Sequence, residues 1–484
     1  MTEVATSESG DSNPAAEISP EGGKEQPRIH GDLTQGPILK TLIAFSIPML
    51  IGNLIQTLNG SINAIWVGRL IGESALAATT NANGVMFLMF ALIFGFGTAT
   101  TVRVGQHFGA RNVEAARKTF GSGLGFCVIM STALALLGWV FSPALLRVLA
   151  TPQGSIDMAI TYLRVIFISI PFGTANMMLG MGLRGAGDSK SPMYSMVLTV
   201  VLDIVLNPLL IRGLGPVPGL GIAGSAIASF IAGTGGVTYL IVNLYRKDLP
   251  LRLRGPEFAF LLPKSAELSY VLAKGAPMGV QMLLVSSAQI VMIGLVNREG
   301  IDSTAAYGAS MQLWNYLQMP AFAISSAVSA MVAQSIGAGK HDRVAQVTHA
   351  GMTSNIVMTG LLAGLLVLFS HPLLALFLGA DSPAVPIAQH IQYLITWSFV
   401  IMGASMIVGG TMRAYGVVMW PLIFQAIALY PVRLGFYFTM HPSLGADALW
   451  WSFPVASTVS ALLTWAIYTR GDWRHKRQQS YQGG

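Results

Sequence analysis

In this chain of 484 residues, one carboxylate sits deep inside a long apolar run. Asp203 lies within 197–211, where every other residue except Thr199, Asn207 and Pro208 is Val, Leu or Ile. The remaining 20 of the 21 acidic residues fall in the first 40 residues, in loops or at the ends of apolar segments. An ionised Asp at the centre of a membrane helix costs about 2.5–3.5 kcal/mol on insertion scales, so such a residue usually faces a bundle interior or water and serves an ion pathway. An apolar setting also favours the protonated form, which suits a carrier of one proton per cycle. The other role open to Asp203 is static, as a hydrogen-bonded packing element.

Thr199, Asp203 and Asn207 are spaced i, i+4, i+8 and share one helix face. Pro208 lacks a backbone N–H and crowds the carbonyl of Ile204, which predicts a kink and a free acceptor beside the carboxylate. It could instead end the helix towards the turn that starts at Arg212. Other amides lie in apolar segments: Asn53, Gln56, Asn59, Asn63, Asn176, Gln281, Gln289, Gln312, Asn315, Gln318 and Gln425. Gln56, Gln281, Gln289 and Asn315 are candidates for a substrate cavity. Amides in membrane helices also often only bridge neighbours, at about 0.6 kcal/mol each. Pro48 and Pro277 stand early in two equivalent segments and, with Pro208, are candidate hinges.

The elements that position these residues follow from composition. Only 10% of residues are charged, against about 25% in soluble domains, and 53% are hydrophobic. Disordered, nucleic-acid-binding and single soluble-domain classes are excluded. Twelve apolar segments run at 37–66, 75–105, 119–141, 158–183, 191–212, 219–245, 266–296, 304–335, 345–370, 384–412, 418–439 and 446–469. Each is long enough for a span of about 20 residues. The expected class is an all-α membrane protein with a lipid bilayer as its surroundings.

Charge sets the orientation. Twenty-two of the 28 Lys and Arg fall at the termini and in every second loop. Arg69, Arg147, Arg212, Arg298 and Arg433 fall on the other side, and Arg164 lies within a segment. By the positive-inside rule both termini are cytoplasmic. The basic excess then reflects topology rather than a nucleic-acid surface. Residues 1–36 are acidic and rich in Pro, Ser and Gly, which predicts a disordered tail.

The two halves repeat at an offset of 229. Pro48 and Met49 match Pro277 and Met278; Arg184, Gly187 and Pro192 match Arg413, Gly416 and Pro421. With one residue of slip, Gln106 and Gly109 match Gln334 and Gly337. Six spans per half insert both copies the same way up, as in parallel-repeat transporters. The expected organisation is a six-helix lobe at 37–245, a cytoplasmic linker at 246–265, a second lobe at 266–469 and a tail at 470–484. The lone Cys127 excludes an intramolecular disulfide and a cysteine metal site. No HExxH, G-x-S-x-G or P-loop occurs, so neither enzyme chemistry nor direct ATP drive is expected.

Several phrases carry a family resemblance. They are Ser46-Ile-Pro-Met-Leu, Ile62-Asn-Ala-Ile-Trp-Val-Gly-Arg69, Gln106-His-Phe-Gly-Ala-Arg-Asn112, Leu183-Arg-Gly-Ala-Gly-Asp188 and Asp203-Ile-Val-Leu-Asn-Pro208. In this order they resemble the multidrug and toxic compound extrusion family over residues 33–470. The resemblance implies two pseudo-symmetric six-helix lobes around a V-shaped cavity. It also implies a secondary antiporter of the cell membrane (the inner membrane in a Gram-negative source), monomeric, without cofactor. Its substrates would be organic, cationic and amphipathic compounds, exported by alternating access in exchange for H⁺ or Na⁺.

Two departures matter. An Asp usual in helix 1 is Asn63 here, and an Asn-x-x-x-Asp-Pro order in helix 5 is swapped to Asp203-x-x-x-Asn207-Pro208. Acidic residues that some members carry in helices 7 and 10 are missing, apart from Glu267 at a membrane edge. Coupling would therefore rest on Asp203, with Asn63, Asn176, Thr199 and Asn207 as oxygen ligands or hydrogen-bond partners. The alternative is a flippase of a lipid-linked oligosaccharide, which requires a cationic cavity; interior Lys and Arg for that purpose are not apparent in the sequence.

Overall fold

The computed structural model describes residues 31–148, 156–214, 217–263, 265–379 and 381–471. Inside a bilayer every backbone N–H needs an internal partner, so the apolar segments can persist only as helices. The first half gives α1 (Ile38–Leu70), α2 (Glu73–Gly109), α3 (Val113–Val148), α4 (Ile156–Gly185), α5 (Lys190–Arg212) and α6 (Gly221–Arg246). A two-residue hairpin, Gly213–Leu214 with Val217–Pro218, turns α5 into α6. The second half gives α7 (Ser265–Val296), α8 (Ile301–Gly337), α9 (His341–Leu368), the short α10 (Ser370–Leu378), α11 (Ala384–Ile395), α12 (Ser398–Ala414), α13 (Met419–Ile427), α14 (Arg433–Leu444) and α15 (Asp447–Arg470).

Ten of the described helical stretches are long and apolar enough to cross a bilayer singly, and α11 with α12 forms an eleventh, bent by 43°. The 24 residues of α15 supply the twelfth by length. The tenth span, expected as one helix over 384–412, is thus a broken one. The eleventh is interrupted too. Between α13 and α14 a π-helical turn, Ala428–Val432, contains Pro431. Proline has no N–H to give, so the regular ladder shifts there.

The lobes share their first helices. The first half of α1 puts Leu42, Phe45 and Met49 into a core built mainly from α8, α9 and α12. The second half of α1 returns to its own lobe, where Val67 packs with Ala75, Leu146 and Tyr162. The opposite exchange occurs in α7. Val271 packs with Phe96 and Cys127, whereas Met292, Leu295 and Val296 join the core of the second lobe. The buried cluster at the far end of the first lobe draws only on residues 67–226, and that of the second only on residues 292–453. The lobes therefore join on the side carrying the basic loops and part towards the other.

That junction is built from the repeat. The Gln106 side chain of α2 donates to the Ala414 carbonyl at 2.8 Å. The Gln334 side chain of α8 donates to the Gly185 carbonyl at 3.0 Å. Each bond runs from one lobe to the end of a helix in the other. The glycines beside them permit the approach, since a side chain at Gly337 would overlap the Gln106 carbonyl.

Both lead-in segments also cross over. Residues 31–36, expected as the end of a free tail, are instead held by the second lobe. Leu33 is buried and its N–H donates to Gln334 Oε1 at 2.9 Å. Arg343 of α9 donates to the carbonyls of Gly36, Leu33 and Gln35 at 3.1–3.2 Å. Residues 1–30 and 472–484, expected as tails, lie outside the described residues. Ahead of α7, the 3₁₀ turn Gly255–Leu261 is held by the first lobe. Arg117 of α3 donates to the Pro250 carbonyl at 2.7 Å and to Glu257 at 2.8 Å.

Gly337→Val is expected to force the basic side open. Spin labels attached through Asn112→Cys and His341→Cys, both exposed positions, should move apart by several ångströms; the buried Cys127 gives a low background. An unchanged distance would show that this contact does not close the junction.

Candidate functional site

Helix geometry brings the polar residues of the first lobe into one column. In α5, Thr199, Asp203 and Asn207 recur every four residues and turn towards α1, α4 and α6. Asp203 is only 3% exposed. Its Oδ2 accepts a hydrogen bond from Asn59 Nδ2 of α1 at 3.0 Å. Its Oδ1 accepts from Ser229 Oγ of α6 at 2.9 Å and from Asn207 Nδ2 at 3.2 Å. Every one of these donors is neutral, and no described Lys, Arg or His pairs with the carboxylate.

Further along the column towards the open side, Ser225 donates to Asn63 Oδ1 at 3.1 Å. Tyr162 of α4, 2% exposed, faces both Asn63 and Asp203. Towards the basic side, Ser195 donates to Asn176 Oδ1 and to the Gly236 carbonyl, each at 3.0 Å. The Thr199 hydroxyl lies against the same glycine.

Of the expected partners, therefore, Asn207 touches Asp203 directly, whereas Asn63, Asn176 and Thr199 lie above or below it. Asn59, one amide among many in the sequence, is the contact from α1. Ser229 and Ser225 were missed. Their i, i+4 spacing on α6 was a usable signal, but serine is so common in membrane helices that spacing alone does not single them out. Pro208 lies inside α5 and does not end it. Pro48 is buried within α1. Pro277 lies in α7 between Gly275 and Gly279, which touch the backbone of Gly95 in α2.

Three oxygens of the column are buried without a hydrogen-bond partner among the described residues: Asn59 Oδ1, Asn207 Oδ1 and Thr199 Oγ1. An unmade hydrogen bond at a buried oxygen costs about 1–3 kcal/mol. Two of these oxygens belong to the amides that hold the carboxylate. With Asp203 protonated, a turn of the Asn59 or Asn207 amide would let its oxygen accept from the acid.

The second lobe differs. Gln281 donates to Gln425 Oε1 at 3.2 Å, a bridge between α7 and α13. Gln56, Gln289 and Asn315 are exposed on their helices. Arg433, which the charge count places on the far surface, is buried at 6% exposure inside the lobe. The expectation that the interior lacks arginine is corrected by this residue: Arg433 stands at the start of α14, eleven residues before its end at Leu444, because α14 continues the eleventh span.

The MatE family model matches residues 48–209 and 277–439, one stretch in each half. The probable multidrug resistance protein YoeA of Bacillus subtilis (strain 168) is 32% identical over 455 residues, covering 94% of this chain and 98% of that protein. The probable multidrug resistance protein YpnP of the same organism is 28% identical over 446 residues, covering 92% and 97%. A solved structure of the outward-facing conformation of a multidrug resistance MATE family transporter of the MOP superfamily superposes with a TM-score of 0.84. It is 21% identical and covers 95% of this chain and 100% of that one, so the likeness carries the fold.

Asp203→Leu would strip the donors of Asn59, Asn207 and Ser229 of their acceptor, at about 1–3 kcal/mol for each one left unmade. Asp203→Asn keeps an acceptor and removes the buried charge. Thermal unfolding in detergent should therefore place the Leu variant several degrees below the parent and the Asn variant level with it or above. Equal loss in both would mean that the charged carboxylate itself holds the column together.

Proposed function

The chain belongs to the MatE family of multidrug and toxic compound extrusion transporters, and on that premise we propose that it is a secondary antiporter coupled at Asp203. It exports amphipathic organic compounds from the cytoplasm across the cell membrane, in exchange for H⁺ or Na⁺. The observation that carries this is the carboxylate itself: buried, held among the described residues by neutral donors, two of them amides whose oxygens have no partner there. A carboxylate so placed is most stable with a proton or a small cation. A column open to one side of the membrane at a time would load that ion from outside and release it inside.

Coupling needs the site to sense the lobe junction, and α1 supplies the connection. Its second half carries Asn59 against Asp203, while its first half is packed in the other lobe. Occupation of Asp203 changes the demand on Asn59 and so the packing of a helix common to both lobes. Two occupants that favour different arrangements weaken each other's binding by the same factor, which is the energetic content of antiport. The cationic character expected of the substrate suits this lobe, where Asp203 is the available counter-charge. The basic loops, placed on one side of the spans, support cytoplasmic termini.

Proteoliposomes with independently imposed pH and Na⁺ gradients test this. Efflux of a fluorescent organic cation should follow one of the two gradients. Asp203→Asn should reduce gradient-driven efflux at least tenfold while downhill leak stays. Undiminished driven efflux in that variant would reject Asp203 as the coupling residue.

A further inference from the structure

The buried cation of the second lobe has no role in the coupling site. Arg433 stands directly after the π-helical turn Ala428–Val432, eleven residues before the end of α14 at Leu444. At 1.5 Å per residue that is about 16 Å from the end of the span. Its guanidinium lies over the ring of Phe453, 3.3 Å from the centroid, with Tyr307 alongside. A ring can attract a cation through its face, but it accepts nothing from the N–H groups along the guanidinium edge. Nε and Nη2 are buried with no hydrogen-bond partner among the described residues. These two atoms form the edge that grips a carboxylate or a phosphate with two parallel bonds.

Among the described residues no carboxylate pairs with Arg433. Glu299 is engaged by His441 at 3.2 Å, and Asp447 by His390 at 2.8 Å. Glu267 lies at the basic side, where Thr119 donates to it at 2.8 Å. An arginine stays charged when buried, and an unpaired buried charge is strongly unfavourable. Such a residue is sustained where a partner arrives from outside the chain.

Two further polar groups without partners among the described residues lie against the same aromatic cluster. Gln392 accepts from Trp314 Nε1 at 3.0 Å through its oxygen, while its Nε2 is buried and unpaired. Ser310, one turn along α8 from Tyr307, has a buried unpaired hydroxyl. The ring of Phe453 joins them, 6.1 Å from both Tyr307 and Trp314. Each of these groups can donate a hydrogen bond, and the surrounding rings suit an aromatic or other flat apolar body.

We propose that the second lobe contains an oxyanion subsite, in which Arg433 takes the carboxylate or phosphate group of a transported compound against the Tyr307–Phe453 wall. The two lobes then have opposite polarity, with an acidic site in the first for the ion and the cationic part of a solute, and a basic site in the second for an anionic group of that solute. Arg433 is 6% exposed, so a ligand would need the lobe to open, and the adjoining π-helical turn is the nearest break in the regular ladder.

Equilibrium binding tests this without any gradient, so its failure and the failure of antiport are separate results. The full chain in nanodiscs of neutral lipid is titrated with benzoate and with inorganic phosphate, reading tryptophan fluorescence, with choline as the cation control. At least one anion should give a saturable change that depends on Arg433, whereas any change with choline should be the same in the parent and in the Arg433 variants. Arg433→Met should weaken that response at least tenfold. Arg433→Lys, which keeps the charge but loses the two-pronged edge, should weaken it about threefold to tenfold; it serves alone if the Met variant fails to fold. No saturable response to either anion, or a parent-like response in the variants, would overturn the proposal. So would a response that appears only when anionic lipid is added, because that would place a headgroup rather than a solute at Arg433.

Discussion

Two glutamines set the shape of this molecule. Gln106 and Gln334 occupy equivalent places in the two repeats, and each donates to a carbonyl at a helix end in the opposite lobe. Such bonds can form only if the helices that carry them meet almost backbone to backbone, which the glycines at 109 and 337 permit. The rest of the junction is consistent with that approach. The first halves of α1 and α7 are drawn into the opposite lobes, and the far ends are left without a common core. A membrane protein gains little from burying apolar groups that lipid would cover equally well, so packing and hydrogen bonds must carry the closure. Bonds of this kind are modest one by one, which is what a junction that has to open requires.

The polar column in the first lobe is under a different constraint. Asp203 and its neighbours make most of the hydrogen bonds that buried groups demand, but not all of them. A fully satisfied network would be rigid and inert. One left a proton short has a reason to bind. The second lobe has the complementary deficit, with donors in excess at Arg433. The repeat thus preserved a scaffold on which the two interiors diverged in sign.

Much of the architecture was legible in the residues. Low charge, alternating basic loops and the 229-residue offset lead to two six-helix halves, and the family match falls into two stretches whose first residues are separated by that same interval. Asp203 stood out because no other carboxylate lies so deep in an apolar run. Its partners did not, because hydrogen-bonding amides and serines look alike in sequence whether they face a carboxylate or a neighbouring helix. Asn59 and Ser229 are separated from Asp203 by 144 and 26 residues, and only packing brings them together. Arg433 was misplaced for another reason. A charge near the end of an apolar segment reads as a loop residue, yet α14 runs on to Leu444 and carries it inward. The lead-in at 31–36 reads as tail by composition, because its capture depends on backbone carbonyls accepting from Arg343 and Lys340.

Those crossed lead-ins have a bearing on ancestry. The segment before α1 is gripped by α9 through Arg343, and the segment before α7 is gripped by α3 through Arg117. Each repeat therefore begins with an arm that embraces its sibling, and neither arm needs the other to be on the same chain. Two identical six-helix polypeptides could satisfy the same geometry as a homodimer with exchanged arms. Fusion of such a pair would leave the embrace intact and free each copy to change its interior independently.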